Sequence, residues 1–359
     1  MSRLFDFIRK ERLYLLILIF ILVVNVIVMM PSGGKARSRK AAAAEVKKEA
    51  IGKVSAAAYA EMEAARRAKV EKLFTEDRYL ALLFSLTSLL IIAALLLGLV
   101  IDVILAARKL ARKELDISTY RLETVRWGAW DVAKVILLFI FFGYVIIMVE
   151  SVLTRVFPII KNDNFRMILN SSMLDTLGVI FILYFSVGEY KEKLIAVGLS
   201  LKSFARNVFY GLVAYIAIIP VLLGVLALIA FLANMIKYVP EKQPVVELFL
   251  KEKNAPFLIY TSLFAAIVGP MIEELFFRGF MYNAFKKRIG IFWAMVITAA
   301  TFATLHSHVV GFLPIMVLGM LLAYMYEKTG TLVSSITVHM VHNLSMVFLV
   351  FLVKQLGVG

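Results

Sequence analysis

Long, nearly uncharged apolar runs dominate this chain, at about Leu13–Met30, Tyr79–Ala107, Val132–Val152, Leu169–Val187, Val208–Ile236, Pro256–Phe277, Ile289–Leu305, Phe312–Tyr326 and Leu332–Val353. Crossing about 30 Å of hydrocarbon takes roughly 20 residues of helix at about 1.5 Å each. Most runs come near that length, and the two flanking Phe312 are short. A helix satisfies its own backbone hydrogen bonds without water, which is what a lipid environment demands. The expected fold is therefore all-α, a polytopic transmembrane helical bundle of about eight or nine spans. Composition agrees, with 62% hydrophobic and 18% charged residues and a mean hydropathy of +0.87, far from a soluble average.

The run at Leu13–Met30 follows a basic start (Arg3, Arg9, Lys10, Arg12). Its length, and the lack of a small-residue cleavage site, favour an uncleaved membrane anchor over residues 1–32. Residues 33–78 then turn polar and rich in Ala, Lys, Glu and Arg, a composition suited to a solvated helical extension. Residues 79–203 read as accessory transmembrane helices and 204–353 as the functional core. The connections at Leu110–Trp130 and Gly188–Arg206 have an interfacial, amphipathic character.

The formal net charge of +15 comes from Lys and Arg placed between apolar runs. That distribution suits contact with membrane lipids, and no nucleic-acid module, phosphate loop or Walker motif accompanies it. With alternating spans, the N-terminus, Arg108–Arg126, Lys191–Arg206, Lys286–Arg288 and Lys328 fall on one side, which the positive-inside rule makes cytoplasmic. The chain has no cysteine, so thiol chemistry and disulfides are excluded.

Ionisable groups inside hydrocarbon are costly unless they are paired or face a cavity, and so they mark candidate sites. All four histidines, His306, His308, His339 and His342, lie in the last stretch, together with Glu273, Glu274, Arg278 and Asn343. Glu274 precedes Arg278 by four residues, the spacing of an ion pair on one helix face, whereas Glu273 points about 100° away. Gly269 and Pro270 loosen the helix a turn earlier. Glu273 and His306 are each about 16 residues from a hairpin tip near Gly290, which would give them the same depth. His339 and Asn343 share a face of the last span. A carboxylate and an imidazole to activate water, with a second His and an Asn to hold an oxyanion, form a set suited to peptide hydrolysis. Asp102, Glu150 and Asp175 fall near expected span ends, where interfacial water satisfies them.

The segments EELFFR, FATLH, LGMLLAYMYEKTGTL and HMVHN occur in that order. Together they resemble the motifs of the CPBP (ABI) family of intramembrane proteases, which includes the type II CAAX prenyl endopeptidases. The resemblance is strongest from Gly269 to Asn343. It implies that Glu273 and His306 activate the attacking water and that His339 and Asn343 stabilise the oxyanion. It also implies that Glu274 and Arg278 brace the site, that Phe302 packs one turn before His306, and that the chemistry needs no metal or other cofactor. The implied substrate is a membrane-associated peptide, prenylated or otherwise anchored.

His308 and His342 are additional to those motifs, and four His with a Glu leave a zinc site open as an alternative. A non-catalytic scaffold or immunity-type protein and a proton-coupled transporter also remain open, since either can use a buried Glu and His cluster.

Overall fold

In a computed structural model, the described residues are 2–29, most of 74–157, 162–236, 244–306 and 309–355, with single positions between 64 and 71 and at 238. The polar extension expected at 33–78 lies almost wholly outside them. Residues 1–87 with 353–359 form one compact unit and 88–352 another. The candidate site lies in the second.

The helices are α1 (Ser2–Met29), α2 (Arg78–Leu110), α3 (Ala129–Leu153), α4 (Asp163–Glu189), α5 (Phe204–Met235) and the short α6 (Pro244–Lys251). Helical structure then continues from Ala255 to Leu305 with one break, giving α7 (255–289) and α8 (291–305), and the chain ends with α9 (Val309–Thr329) and α10 (Leu332–Gln355). No strand occurs among the described residues. Seven of these helical segments are long and apolar enough to cross a membrane, so the protein is a polytopic helical bundle. The expected runs at Pro256–Phe277 and Ile289–Leu305 fall in one of the seven, Ala255–Leu305, and α1 is not among them.

The break between α7 and α8 is at Gly290, whose φ of 78° and ψ of 171° lie in a region reserved for glycine. Here the chain reverses, and α8 packs back along α7. The edge-to-face pair Phe277 and Phe302, with ring centroids 5.2 Å apart, sits about a dozen residues from the turn on either side. The hairpin expected near Gly290 is therefore present.

Within α7 the backbone widens twice, over Phe264–Val268 and Leu275–Tyr282, on either side of Gly269–Glu274. The first widening has a local cause. Gly269 N–H reaches back five residues to Phe264 O, and the next residue, Pro270, has no N–H to give. Ala265 O is thus left without a helical donor.

A core of Leu222, Leu318, Leu322, Met325 and Val338 joins α5, α9 and α10. At the Gly290 end, connecting loops dock onto the helix tips. Lys287 Nζ donates to the carbonyls of Val125 (3.2 Å) and Arg126 (3.1 Å), and also to that of Trp127. Trp127 Nε1 donates to Phe280 O at 2.9 Å, and its ring stacks on Phe280. Thr119 Oγ1 donates to Thr329 O at 2.6 Å. Next to it Gly330, at φ 74°, passes so close to the Tyr120 carbonyl that a Cβ would collide with it. Lys286 and Tyr282 both bond Glu327, and Asn283 Nδ2 donates to Tyr326 Oη at 2.7 Å.

Candidate active site

Glu274 and Arg278 are both fully buried and bonded to each other, Nη1 to Oε1, at 2.8 Å. The i,i+4 spacing puts the two groups on one face, and burial is tolerable because each charge has a partner. Arg278 Nη2 also donates to Gly319 O at 3.0 Å, which ties α7 to α9. A Cβ at Gly319 would come within 3.1 Å of Ala299 Cβ and 3.4 Å of Arg278 Nη2. The glycine therefore lets α9 approach both α8 and the guanidinium. That group lies 4.8 Å from the centre of the Phe302 ring, in cation–π contact.

His339 is also buried and links the two glutamates. Its Nδ1 is 3.0 Å from Glu274 Oε1, and its Nε2 is 3.6 Å from Glu273 Oε2. With Glu274 ionised against Arg278, the carboxylate can only accept, so Nδ1 carries the proton in that bond. Nε2 is then the atom presented toward Glu273. The Glu273 side chain is 38% exposed while Glu274 is fully buried. This is the division expected from their 100° separation.

Phe302, nearly fully buried, is the spacer of the site. Its ring meets His306 at 4.6 Å, Phe277 at 5.2 Å and His339 at 5.5 Å between centroids. His306 ends α8, where its Nδ1 bonds Phe302 O at 2.9 Å. A carbonyl accepts and cannot donate, so this bond puts the proton on Nδ1 and leaves Nε2 with a lone pair. His306 is exposed, and no direct hydrogen bond or ion pair joins it to Glu273 among the described residues.

Asn343, one turn beyond His339, donates from Nδ2 to Ala265 O at 2.8 Å. This is the carbonyl orphaned by the widened turn before Pro270. An amide nitrogen has two hydrogens, so a second donor stays with the side chain. The structure thus brings Glu273, Glu274, Arg278, Phe302 and His339 together, with His306 attached through Phe302 and Asn343 anchored to the opposite turn of α7.

His342 turns toward α5 instead, 6.0 Å from the Tyr215 ring, and His308 lies outside the described residues. Among the described residues no group of three or more His, Cys, Asp or Glu is placed to hold a metal ion.

Three features escaped the sequence reading. Nothing in the sequence signalled that Gly319 receives Arg278 or that Ala265 O receives Asn343. The third is Asp175, taken there to lie near a span end. Helix α4 extends over Asp163–Glu189, 27 residues, which makes Asp175 its thirteenth and sets it mid-span.

Residues 255–345 match the family described as "Type II CAAX prenyl endopeptidase Rce1-like". YdiL of Bacillus subtilis (strain 168), a candidate membrane peptidase by its description, is 28% identical over 88 residues, covering 24% of this chain and 35% of its own length. An uncharacterised 24.3 kDa protein of Escherichia coli is 29% identical over 132 residues, 34% of this chain and 59% of its own length. The chain therefore spans about a third to three fifths of the curated relatives it matches. No solved structure matches. The resemblance read from the four motifs is borne out over the segment that carries them.

Proposed function

We propose that this chain is an intramembrane endopeptidase of the glutamate type, acting on a membrane-associated peptide that carries a prenyl or other lipid anchor. The observation that carries the reading is His339 held between two carboxylates, 3.0 Å from buried Glu274 and 3.6 Å from half-open Glu273. Glu274 and Arg278 brace the imidazole. Glu273 remains free to work.

In this mechanism a water near Glu273 and the Nε2 lone pair of His306 loses a proton to Glu273 as its oxygen attacks the scissile carbonyl carbon. His339, protonated on both nitrogens while Glu274 holds Nδ1, donates from Nε2 to the developing oxyanion. The second N–H of Asn343 does the same. Collapse breaks the C–N bond, and the proton on Glu273 passes to the leaving amine. No metal or other cofactor is needed. Exposed Val268 and Met271, on the turns of α7 before Glu273, give an anchored substrate an apolar approach from the bilayer. The partners are membrane lipids and the anchored peptide, and no nucleic acid is involved.

The test is cleavage of a synthetic lipidated peptide by the purified full chain in detergent, read by mass spectrometry. Glu273→Gln is expected to abolish product while the protein elutes as the wild type does on gel filtration, and chelators are expected to leave activity intact. Wild-type turnover in Glu273→Gln would end the reading. So would chelator-sensitive activity with stoichiometric zinc.

A further inference from the structure

The part of α7 that carries Arg278 is held from behind as well as from the site. Leu275–Tyr282 is widened helix, a rare form met mostly as single turns and often at functional sites. At its end the backbone bonding slips. Asn283 N–H reaches back three residues to Phe280 O, and the Asn283 side chain donates to Gly279 O at 2.8 Å. A carbonyl has two lone pairs, and Phe280 O also takes Trp127 Nε1 at 2.9 Å. The indole is fully buried and lies flat on the Phe280 ring, with centroids 5.3 Å apart and planes at 13°. Beside it, a Cβ at Gly279 would come within 2.6 Å of Val197 O, so the turn at Leu194–Val197 presses directly on the α7 backbone.

These contacts lie on the far side of α7 from the site. Phe280 follows Arg278 by two residues, which sets it about 200° round the helix at about 100° per residue. On the site side, Arg278 bonds Glu274 Oε1 at 2.8 Å and Gly319 O at 3.0 Å. The widened turn is thus gripped between α9 and the segment leading into α3. That segment is itself pinned, since Lys287 of α7 draws in the carbonyls of Val125, Arg126 and Trp127, and Gly128 N–H donates to Asp131 Oδ2 at 2.8 Å. Relaxation of the widened turn toward regular helix would rotate Arg278 relative to Glu274, which precedes it.

We propose that Trp127 is a positioning residue for the candidate site. Its N–H and ring seat the widened turn so that Arg278 meets Glu274 and Gly319 O together, which keeps Glu274 where it orients His339. The site then depends on a residue well upstream of the family-matching segment 255–345. The seating stands on the geometry alone, and its effect on turnover rests on the peptidase reading.

Trp127→Phe keeps an aromatic ring and removes the donor. Hydrogen exchange of the full chain in detergent, read by mass spectrometry, tests the seating without any substrate. Exchange over 275–283 is expected to quicken about threefold to tenfold, the equivalent of one lost hydrogen bond, while exchange over 318–325 keeps its wild-type rate. Wild-type exchange over 275–283 would overturn the proposal. So would equal quickening in both stretches, the mark of general loosening. Kinetics with a lipidated peptide give the second readout. Trp127→Phe should lower kcat by a similar factor at unchanged KM, and should do nothing further in an Arg278→Lys background, where the group it acts through is gone. Wild-type kinetics, or the same loss in both backgrounds, would overturn the positioning role. If Arg278→Lys is inactive or unfolded, the exchange pattern and the split between kcat and KM decide. If the wild type cleaves nothing, the peptidase reading falls and exchange alone decides the seating.

Discussion

At the residue scale, the buried pair Glu274–Arg278 and the half-open Glu273 make opposite demands on a substitution. Arg278→Ala strands a fully buried carboxylate and removes the bond to Gly319 O. It is expected to cost about 3–5 kcal/mol, as breaking a buried pair does, visible as a large fall in thermal unfolding temperature in detergent. Glu273→Gln should leave that temperature nearly unchanged. Asn343→Ala has two consequences. It takes away one oxyanion donor, worth about 10²-fold in kcat, and it leaves Ala265 O unsatisfied, at about 1–3 kcal/mol. Turnover and unfolding measured on one preparation separate the two. The Glu274–Arg278 pairing was legible from four-residue spacing, and so was the separate direction of Glu273. The choice His339 makes between the two acids was not legible, because it depends on the depth and rotation of a helix 65 residues away. Asp175 was misjudged for a related reason. Its distance from the span end was read from where apolar residues stop, and the helix continues past that point.

Among elements, the α7–α8 hairpin carries the geometry, and Gly290 makes it possible. The glycine was legible because Lys286, Lys287, Arg288 and Gly290 interrupt two apolar runs. Its backbone angles, 78° and 171°, admit no other residue without strain. Gly290→Ala is expected to destabilise the protein by about 1–3 kcal/mol, although no atom crowds the missing Cβ. Gly224 in α5 is the control. It too has open space around it, but in ordinary helical conformation, so alanine there should be neutral or stabilising by up to about 1 kcal/mol. Thermal unfolding of the two variants gives opposite signs if the turn conformation, rather than bulk, is what Gly290 supplies. Gly269 and Pro270 announced a loosening of α7. They did not announce that it would be answered by Asn343, since only folding brings α10 to that carbonyl.

For the molecule as a whole, the loops are where sequence reading fell shortest. The segments before α3 and α5 read as interfacial, but Lys287 gathers the Val125–Trp127 carbonyls and Thr119 bonds Thr329, so the first of them is part of the bundle at the Gly290 end. Such contacts carry no periodicity and leave no pattern in the sequence. They do bring basic residues of the expected cytoplasmic loops, Arg126, Lys286 and Lys287, to one end. On the positive-inside rule that end is expected to face the cytoplasm. A cysteine replacing Arg288 in this cysteine-free chain is expected to resist an impermeant maleimide in intact cells and to react after lysis, while one replacing Phe157 should react in both. The reverse pattern would invert the orientation. The two widened turns of α7 also bear on how this chain tolerates changes of length. Each accommodates more chain than regular α-helix would use over the same rise. Removing one residue within 264–268 would let the backbone resume an ordinary helical path, with Glu273, Phe302 and His339 undisturbed. It would also shift the carbonyl in the widened turn to which Asn343 is tied. Length variation in this stretch is therefore a route by which the site can be retuned without touching a residue that performs chemistry.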